Sequence, residues 1–410
     1  MSRLKIFVSA YACEPGLGSE IGVGWHWVLE MSRRFELWVL TRESNRHTIE
    51  PWIAGHPEFA GIHFLYFDLP KWARFWKKGL RGVRTYYNIW QRLTDKIVKQ
   101  TMADNDITVF HHLTYGNALW PVSKSGSKHT FIWGPIGGLE TIPEDYTRHY
   151  DSKSRLIEKI RRLAVSHSVK SRSFKRRAAK ASLILCKTED TLNKLPDRAR
   201  KNALLFTDVA TDNTLISDNT ANKADNILDC IVVGRLDAWR GFDLAILAVN
   251  EALKQNPDIR LTIIGKGKDR ERLETIVRQL GLDNKIIFTG GVSAQKYTKL
   301  MQQADIVLNP SLKEGAVTVS FDAMAMGKPL IAIDTGGYTR YFKPDYSVVI
   351  ARRDRENVIR ELSEAIIKLS DRELRLKMGR NAQKSANLFT WAHHGEDICD
   401  TIQNVVEKTR

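Results

Sequence analysis

Two doubly wound α/β domains of Rossmann type are what this sequence predicts, and three observations carry the prediction. The chain has 410 residues, more than the roughly 250–300 that a single hydrophobic core accommodates. Short apolar runs alternate with helix-patterned segments, the order that produces βα units and a parallel sheet. A polar stretch at 212–226, dominated by Asn, Thr, Ser and Asp, interrupts the alternation, and the pattern restarts after it.

The elements follow in order. Leu4–Tyr11 is a short apolar run, a glycine-rich turn follows, and a helical pattern runs from Gly22 to Arg34. Glu36–Thr41, Ile62–Leu69, Val109–Leu113, Thr130–Trp133 and Leu183–Cys186 are strand-like. In the second half, Ile227–Gly234 reads as a strand, Phe242–Lys254 as a helix, Ile259–Gly265 as a strand and Arg270–Leu280 as a helix. Ile286–Gly290, Asp305–Pro310, Pro329–Asp334 and Ser347–Ile350 are further strands, with Val317–Met326 helical. The expected division is therefore 1–211, a linker at 212–226, and 227–388. A final helix at 389–410 is expected to pack back toward the first domain. In such folds ligands lie at the carboxyl ends of the strands, here expected in a central cleft between the domains.

Composition narrows the classes. With 43% hydrophobic and 27% charged residues the chain is not disordered. It carries 63 Lys+Arg against 47 Asp+Glu, and the excess is uneven: residues 1–205 are net +15 and residues 206–410 net +1. The basic half implies an anionic surface, a nucleic acid or an acidic substrate as partner. Four cysteines without CxxC spacing argue against a zinc cluster and a disulfide framework, and favour a reducing cytosol. The N-terminus imitates a signal peptide but has a short apolar stretch that reads as a first strand. No run approaches the ~18 apolar residues that span a bilayer.

Three motifs carry chemistry. Gly16-Leu-Gly18-Ser-Glu20-Ile-Gly22-Val-Gly24 follows the first strand and opens the first helix, where glycines and free N–H groups suit an anion. The spacing is not GxGxxG and no acid ends the second strand, which weakens a dinucleotide reading; a ligand-free tight turn is the alternative. Arg235 and Arg240 stand five residues apart where a strand meets its helix, a placement that suits a diphosphate as well as two solvated arginines. Glu314 lies in a strand-to-helix turn and Asp322 a little over two helical turns on, so both carboxylates can face one cleft and accept from sugar or ribose hydroxyls. The plainer alternative is an acid complementing the helix dipole and a surface Asp.

The run Gly234-Arg-Leu-Asp-Ala-Trp-Arg-Gly241, the IGKG at 264–267, FTGG at 288–291, ADIVLNPS at 304–311 and Glu314-x7-Asp322 resemble the nucleotide-sugar half of retaining glycosyltransferases of the GT-B fold, family 4. The resemblance is strong over 228–340 and looser before it; ACEPGLGSEIGVGW and WGPIGG at 133–138 resemble one bacterial subgroup. It implies that Arg235 and Arg240 bind the diphosphate of a UDP- or GDP-sugar. Gly265, Gly267, Gly290, Ser311, Gly315, Ala316, Val317 and Thr318 line the donor, and Glu314 meets the donor sugar. Asp322 takes the place of a Glu that holds the ribose, and the loop at Gly16 and Gly18 closes over the phosphates. His111 or His112, with His111 favoured, lies near the transferred sugar. Two departures stand out: Asp322 is one methylene short, and Val317 replaces a frequent glycine.

The implied reaction is retaining transfer by front-face attack, without a cofactor or metal, with leaving-group charge met by the arginines and helix N-termini. The lone Asp104-Asn-Asp106 precedes a strand and reads as loop acids. Residues 71–92 and 153–180 mix cations with aromatic or aliphatic residues, the second holding eleven Lys/Arg and the single acid Glu158. Such segments suit an anionic membrane, a solvated face being the alternative. No nucleic-acid module accompanies them. The expected acceptor is a glycan or lipid-linked precursor at the inner face of the cell membrane, with the enzyme cytoplasmic and peripherally attached. The other readings are a nucleotide-sugar epimerase, a phosphorylase, and a membrane scaffold that binds a nucleotide sugar without turnover.

Overall fold

The computed structural model describes residues 3–16, 19–74, 76, 82–215, 227–314 and 317–409. Gly18, Gly315, Ala316, residues 75 and 77–81 of the first basic segment, and 216–226 of the polar stretch lie outside the described residues. The chain forms two compact α/β units. The first runs to Leu139, resumes over Ala164–Asp208 and takes up the chain again from Trp391; the second holds Glu140–Leu163 and Val209–Thr390.

The first unit is built on a sheet of β1 (Lys5–Ser9), β2 (Glu36–Thr41), β3 (His63–Tyr66), β4 (Val109–His112), β5 (Thr130–Ile136), β6 (Leu183–Cys186) and β7 (Ala203–Leu205). Its order is β3-β2-β1-β4-β5-β6-β7, all pairs parallel. On one face the helix Ser19–Ser32 sets Trp27 and Val28 against Ile398 and Ile402 of the last helix, Trp391–Thr409. On the other, helix Val83–Leu93 contributes Tyr86, Tyr87 and Trp90, each fully buried. These three aromatics, grouped by the sequence with surface cations, are core residues because that helix turns its aromatic stripe onto the sheet; Trp72, 79% exposed, is not.

Two strands differ from the sequence reading. β7 is three residues long with Leu204 exposed, too short and too open to give an apolar run. β5 continues past Trp133 through the cis Gly134–Pro135 bond to Ile136, and its register to β6 shifts there.

The second unit has β8 (Leu228–Val233), β9 (Ile259–Ile264), β10 (Ile286–Gly290), β11 (Ile306–Asn309), β12 (Leu330–Asp334) and β13 (Ser347–Ala351) in the order β10-β9-β8-β11-β12-β13, again all parallel. Strands covered on both faces, such as β11 and β12, carry near-continuous apolar sequence, which is why they were legible. Glu140–Leu163, which sequence order places in the first domain, packs here: Ile142, Tyr146 and Tyr150 join this core, and the Tyr146 hydroxyl donates to the Arg353 carbonyl at 2.6 Å. All four cysteines are buried thiols outside any disulfide. No helix among the described residues is long and apolar enough to cross a membrane.

Candidate functional site

In the second unit the connection after β8 runs to β9 and the connection after β11 runs the opposite way to β12, so a crevice opens at the carboxyl ends of β8 and β11. The two segments after these strands carry Arg235, Arg240, Ser311 and Glu314. Backbone packing shapes this rim. A Cβ on Gly265 would lie 1.8 Å from the Gly234 carbonyl oxygen, and one on Gly267 would lie 2.1 Å from that of Leu236. The β8 and β9 loops thus run in direct contact, tied by Leu236 N–H to the Lys266 carbonyl at 3.0 Å. Gly265 N–H donates to the Gly290 carbonyl at 2.9 Å, which brings the third glycine into the same rim.

Arg240 ends the β8 segment, two residues before the helix Phe242–Leu253 begins. Its guanidinium forms an ion pair with Glu314 and lies 4.5 Å from the Trp239 ring centroid. The family resemblance put these two residues at one donor site; the fold joins them directly. Arg240 Nε and the hydroxyl of Ser311, itself 2% exposed, are buried without a hydrogen-bond partner in the protein. Buried polar atoms of that kind are rare and mark places where a ligand can bond. Arg235 differs: it is largely exposed and donates to Asp237. Thr318 opens the helix Thr318–Ala325 behind Val317, giving a second helix N-terminus at this edge.

Asp322 lies on that helix, buried, and accepts a hydrogen bond from the Tyr297 hydroxyl at 2.6 Å. Burial pushes its carboxyl up to about 6. A carboxyl raised above its unfolded value stabilises the fold fully below the unfolded value of about 4 and loses that contribution as pH rises through about 6. The Asp322→Asn variant, which keeps an acceptor for Tyr297, is expected to gain about 2 kcal/mol relative to the parent between pH 4 and pH 7. Urea unfolding at both pH values measures this; a constant difference would refute the burial of a titrating carboxyl.

Two partners escaped the sequence reading. Tyr297, on helix Ala294–Gln303, is one. The other is Lys313, beside Glu314: its ammonium pairs with Glu158, both side chains 9% exposed, and lies 4.8 Å from the Trp239 centroid. Burial pulls the Lys313 ammonium down to about 8, against the opposing pull of Glu158. Trp239 therefore lies against two cations, Lys313 and Arg240, the second bound to Glu314.

In the first unit, His111 and His112 end β4 at its own switch point, opposite Val8 and Ser9 of β1. Adjacent strand residues face opposite sides, and both are buried. His111 Nε2–H donates to the Gly134 carbonyl at 2.7 Å. His112 Nε2 meets the Tyr87 hydroxyl at 3.1 Å, in a chain that continues through Gln91 to the Ser9 hydroxyl. Each Nδ1 lacks a partner. Burial holds both rings neutral, pulling His111 to about 4 and His112, with Arg177 nearby, to about 3. Gly16 is exposed with a left-handed backbone (φ +72°) and open space where a Cβ would stand, while Gly24 is packed so closely that a Cβ would lie 2.1 Å from the Ala12 carbonyl oxygen. The motif thus combines an open turn with a close contact between the helix and the loops after β1 and β4.

Comparison with known proteins agrees with this architecture. The family model described as glycosyl transferases group 1 matches residues 214–385. A curated relative, an uncharacterized glycosyltransferase of Methanocaldococcus jannaschii, is 25% identical over 271 residues, covering 65% of this chain and 70% of the relative. Several other curated relatives align over less than half of their length. Among solved structures, sucrose-phosphate synthase from Thermosynechococcus elongatus matches with TM-score 0.67 at 15% identity, covering 99% of this chain and all of that one. Anabaena HepE in complex with UDP matches with TM-score 0.61 at 15% identity, covering 98% and 100%. The fold is that of GT-B glycosyltransferases, and the sequence relatives support a glycosyltransferase.

Proposed function

We propose that this chain is a retaining glycosyltransferase that moves a sugar from a UDP- or GDP-sugar to an acceptor hydroxyl, the acceptor being a glycan or lipid-linked precursor at the inner face of the membrane. The observation that carries the proposal is the Arg240–Glu314 ion pair at the β8/β11 switch point, with the buried, unpartnered Ser311 hydroxyl three residues before Glu314. A guanidinium there can take the diphosphate in two parallel hydrogen bonds. The helix termini at Gly241 and Val317 add partial positive charge. Glu314, once Arg240 turns to phosphate, accepts from the donor sugar's hydroxyls. The glycosidic C1–O bond breaks toward the nucleoside diphosphate, the acceptor oxygen bonds to C1 on the same face, and its proton passes to the departing phosphate oxygen. Preorganised charge at the leaving group is the main catalytic term.

The finer assignments belong to the same proposal. Asp322 serves the ribose, sharing its carboxylate with Tyr297. Gly16 and its loop approach the phosphates, and the neutral His111 or His112 supplies a hydrogen bond near the sugar. A thermal-shift series with UDP, GDP and their sugars tests the donor. One nucleoside diphosphate is expected to raise the Tm by a few degrees at saturating concentration. Glu314→Ala is expected to keep that shift and lose donor turnover. No shift with any nucleotide would sink the proposal; turnover that survives Glu314→Ala would remove Glu314 from it.

A further inference from the structure

The first half of the Ser152–Lys170 helix reverses the usual amphipathic sense, in which apolar residues face the core. Its inward side is polar there, where Glu158 pairs with Lys313 and Arg161 lies 3.7 Å from Glu140, whereas Val165 further along is buried in the core. Its outward side carries Leu156, Ile157, Ile160 and Leu163, each between 51% and 62% exposed. Positions 156, 160 and 163 follow at four- and three-residue steps and form one stripe. Lys153, Arg155 and Lys159 are exposed beside it, and Glu158, the helix's one acid, is buried on the other side.

A contiguous apolar stripe left in water is unfavourable unless something covers it, and cations beside it select an anionic cover. A second copy of the chain fits poorly. Face-to-face pairing would set these cations against their own kind, and four side chains offer far less than the ~800 Å² per partner that stable complexes bury. An anionic bilayer satisfies both features, taking the apolar side chains into the headgroup–acyl boundary and the cations at the phosphates.

We propose that this helix is the element through which the protein docks on an anionic lipid bilayer, with Leu156, Ile157, Ile160 and Leu163 inserted and Lys153, Arg155 and Lys159 at the headgroups. The inference deepens the reading of a membrane-borne acceptor given above and rests on it for its biological purpose, though not for its physics. The docking face and the Glu158 that holds Lys313 beside Glu314 belong to one helix, so the surface that finds the acceptor is built on the element that braces the donor loop.

The test is flotation of the full chain with vesicles of phosphatidylcholine containing phosphatidylglycerol, and with phosphatidylcholine alone. The parent is expected to float with the anionic vesicles, and the Leu156→Ser/Ile160→Ser/Leu163→Ser variant to bind at least about tenfold less. Lys153→Glu/Lys159→Glu is expected to bind as weakly at low salt. Equal flotation of parent and triple variant overturns the proposal. So does sedimentation showing a parent dimer that the triple variant lacks, which would make the stripe a self-association face. Donor hydrolysis without vesicles separates the two readings. Lost flotation sensitivity with intact turnover removes the docking helix alone, and absent turnover with intact, stripe-dependent flotation removes the transferase alone.

Discussion

Arg240→Ala is expected to lower donor turnover by about 10²–10³-fold, the scale on which one preorganised charge-stabilising donor acts. The guanidinium is held between Trp239 and Glu314 before any ligand arrives, so little of its ordering remains to be done in the reaction. Its removal leaves Glu314 as a partly buried carboxylate without its guanidinium, which adds to the cost. Arg240→Lys is expected to recover only part of the loss, because an ammonium cannot offer two parallel hydrogen bonds. Arg235→Ala is expected to be much milder and to act mainly on KM, since Arg235 is largely exposed and already paired with Asp237. Steady-state kinetics of the three variants decide the order. A larger effect at Arg235 than at Arg240 would overturn the assignment of the leaving-group charge.

Acidification from pH 7 to pH 4 is expected to remove on the order of 3 kcal/mol of stability for each buried histidine of the first unit. His111 and His394 are pulled by burial to about 4 and His112 to about 3. A histidine depressed in the fold contributes stability above its unfolded value near 6.5 and loses it as pH falls through the folded one. Asp322 works in the opposite direction over much of the same range, and in the other unit. The histidines outnumber it, so the net slope is destabilising toward acid. His112→Gln isolates one contribution. Whatever it costs at pH 7, its stability relative to the parent is expected to improve by about 3 kcal/mol by pH 4, followed through the buried tryptophans Trp27, Trp90 and Trp133. A difference that does not move with pH would show that His112 does not stay neutral in the fold.

What the sequence made legible follows from how far apart the cooperating residues are. Ile306–Asn309 and Leu330–Asp334 could be read as strands because a doubly covered parallel strand writes itself as an apolar run. Arg240 and Glu314 could be read as site residues because the turns after β8 and β11 fix where each must stand. Their direct pairing could not, since it depends on side-chain direction across two loops. Glu158 and Lys313 are 155 positions apart, and no periodicity connects them. Tyr297 and Asp322 meet because two helices pack, and a tyrosine in a polar helix gives no sign of it. The 153–180 segment shows the opposite limit: its charge was plain, but the outward direction of its aliphatic residues required the fold.

The path of the chain through its two units bears on how the protein is made. A ribosome finishes the second unit when it reaches Thr390, at a moment when the first still lacks Trp391–Thr409. Until then Trp27 and Val28 have no Ile398 or Ile402 to cover them. The first unit to begin synthesis is therefore the last to close. Expression of residues 1–211 alone is a poor route to an isolated domain, because it lacks that last helix and carries the 140–163 stretch that belongs elsewhere. A fragment that joins the Trp391–Thr409 helix to the first unit by a short linker in place of residues 209–390 would supply the missing helix, while still carrying the 140–163 stretch of the other unit.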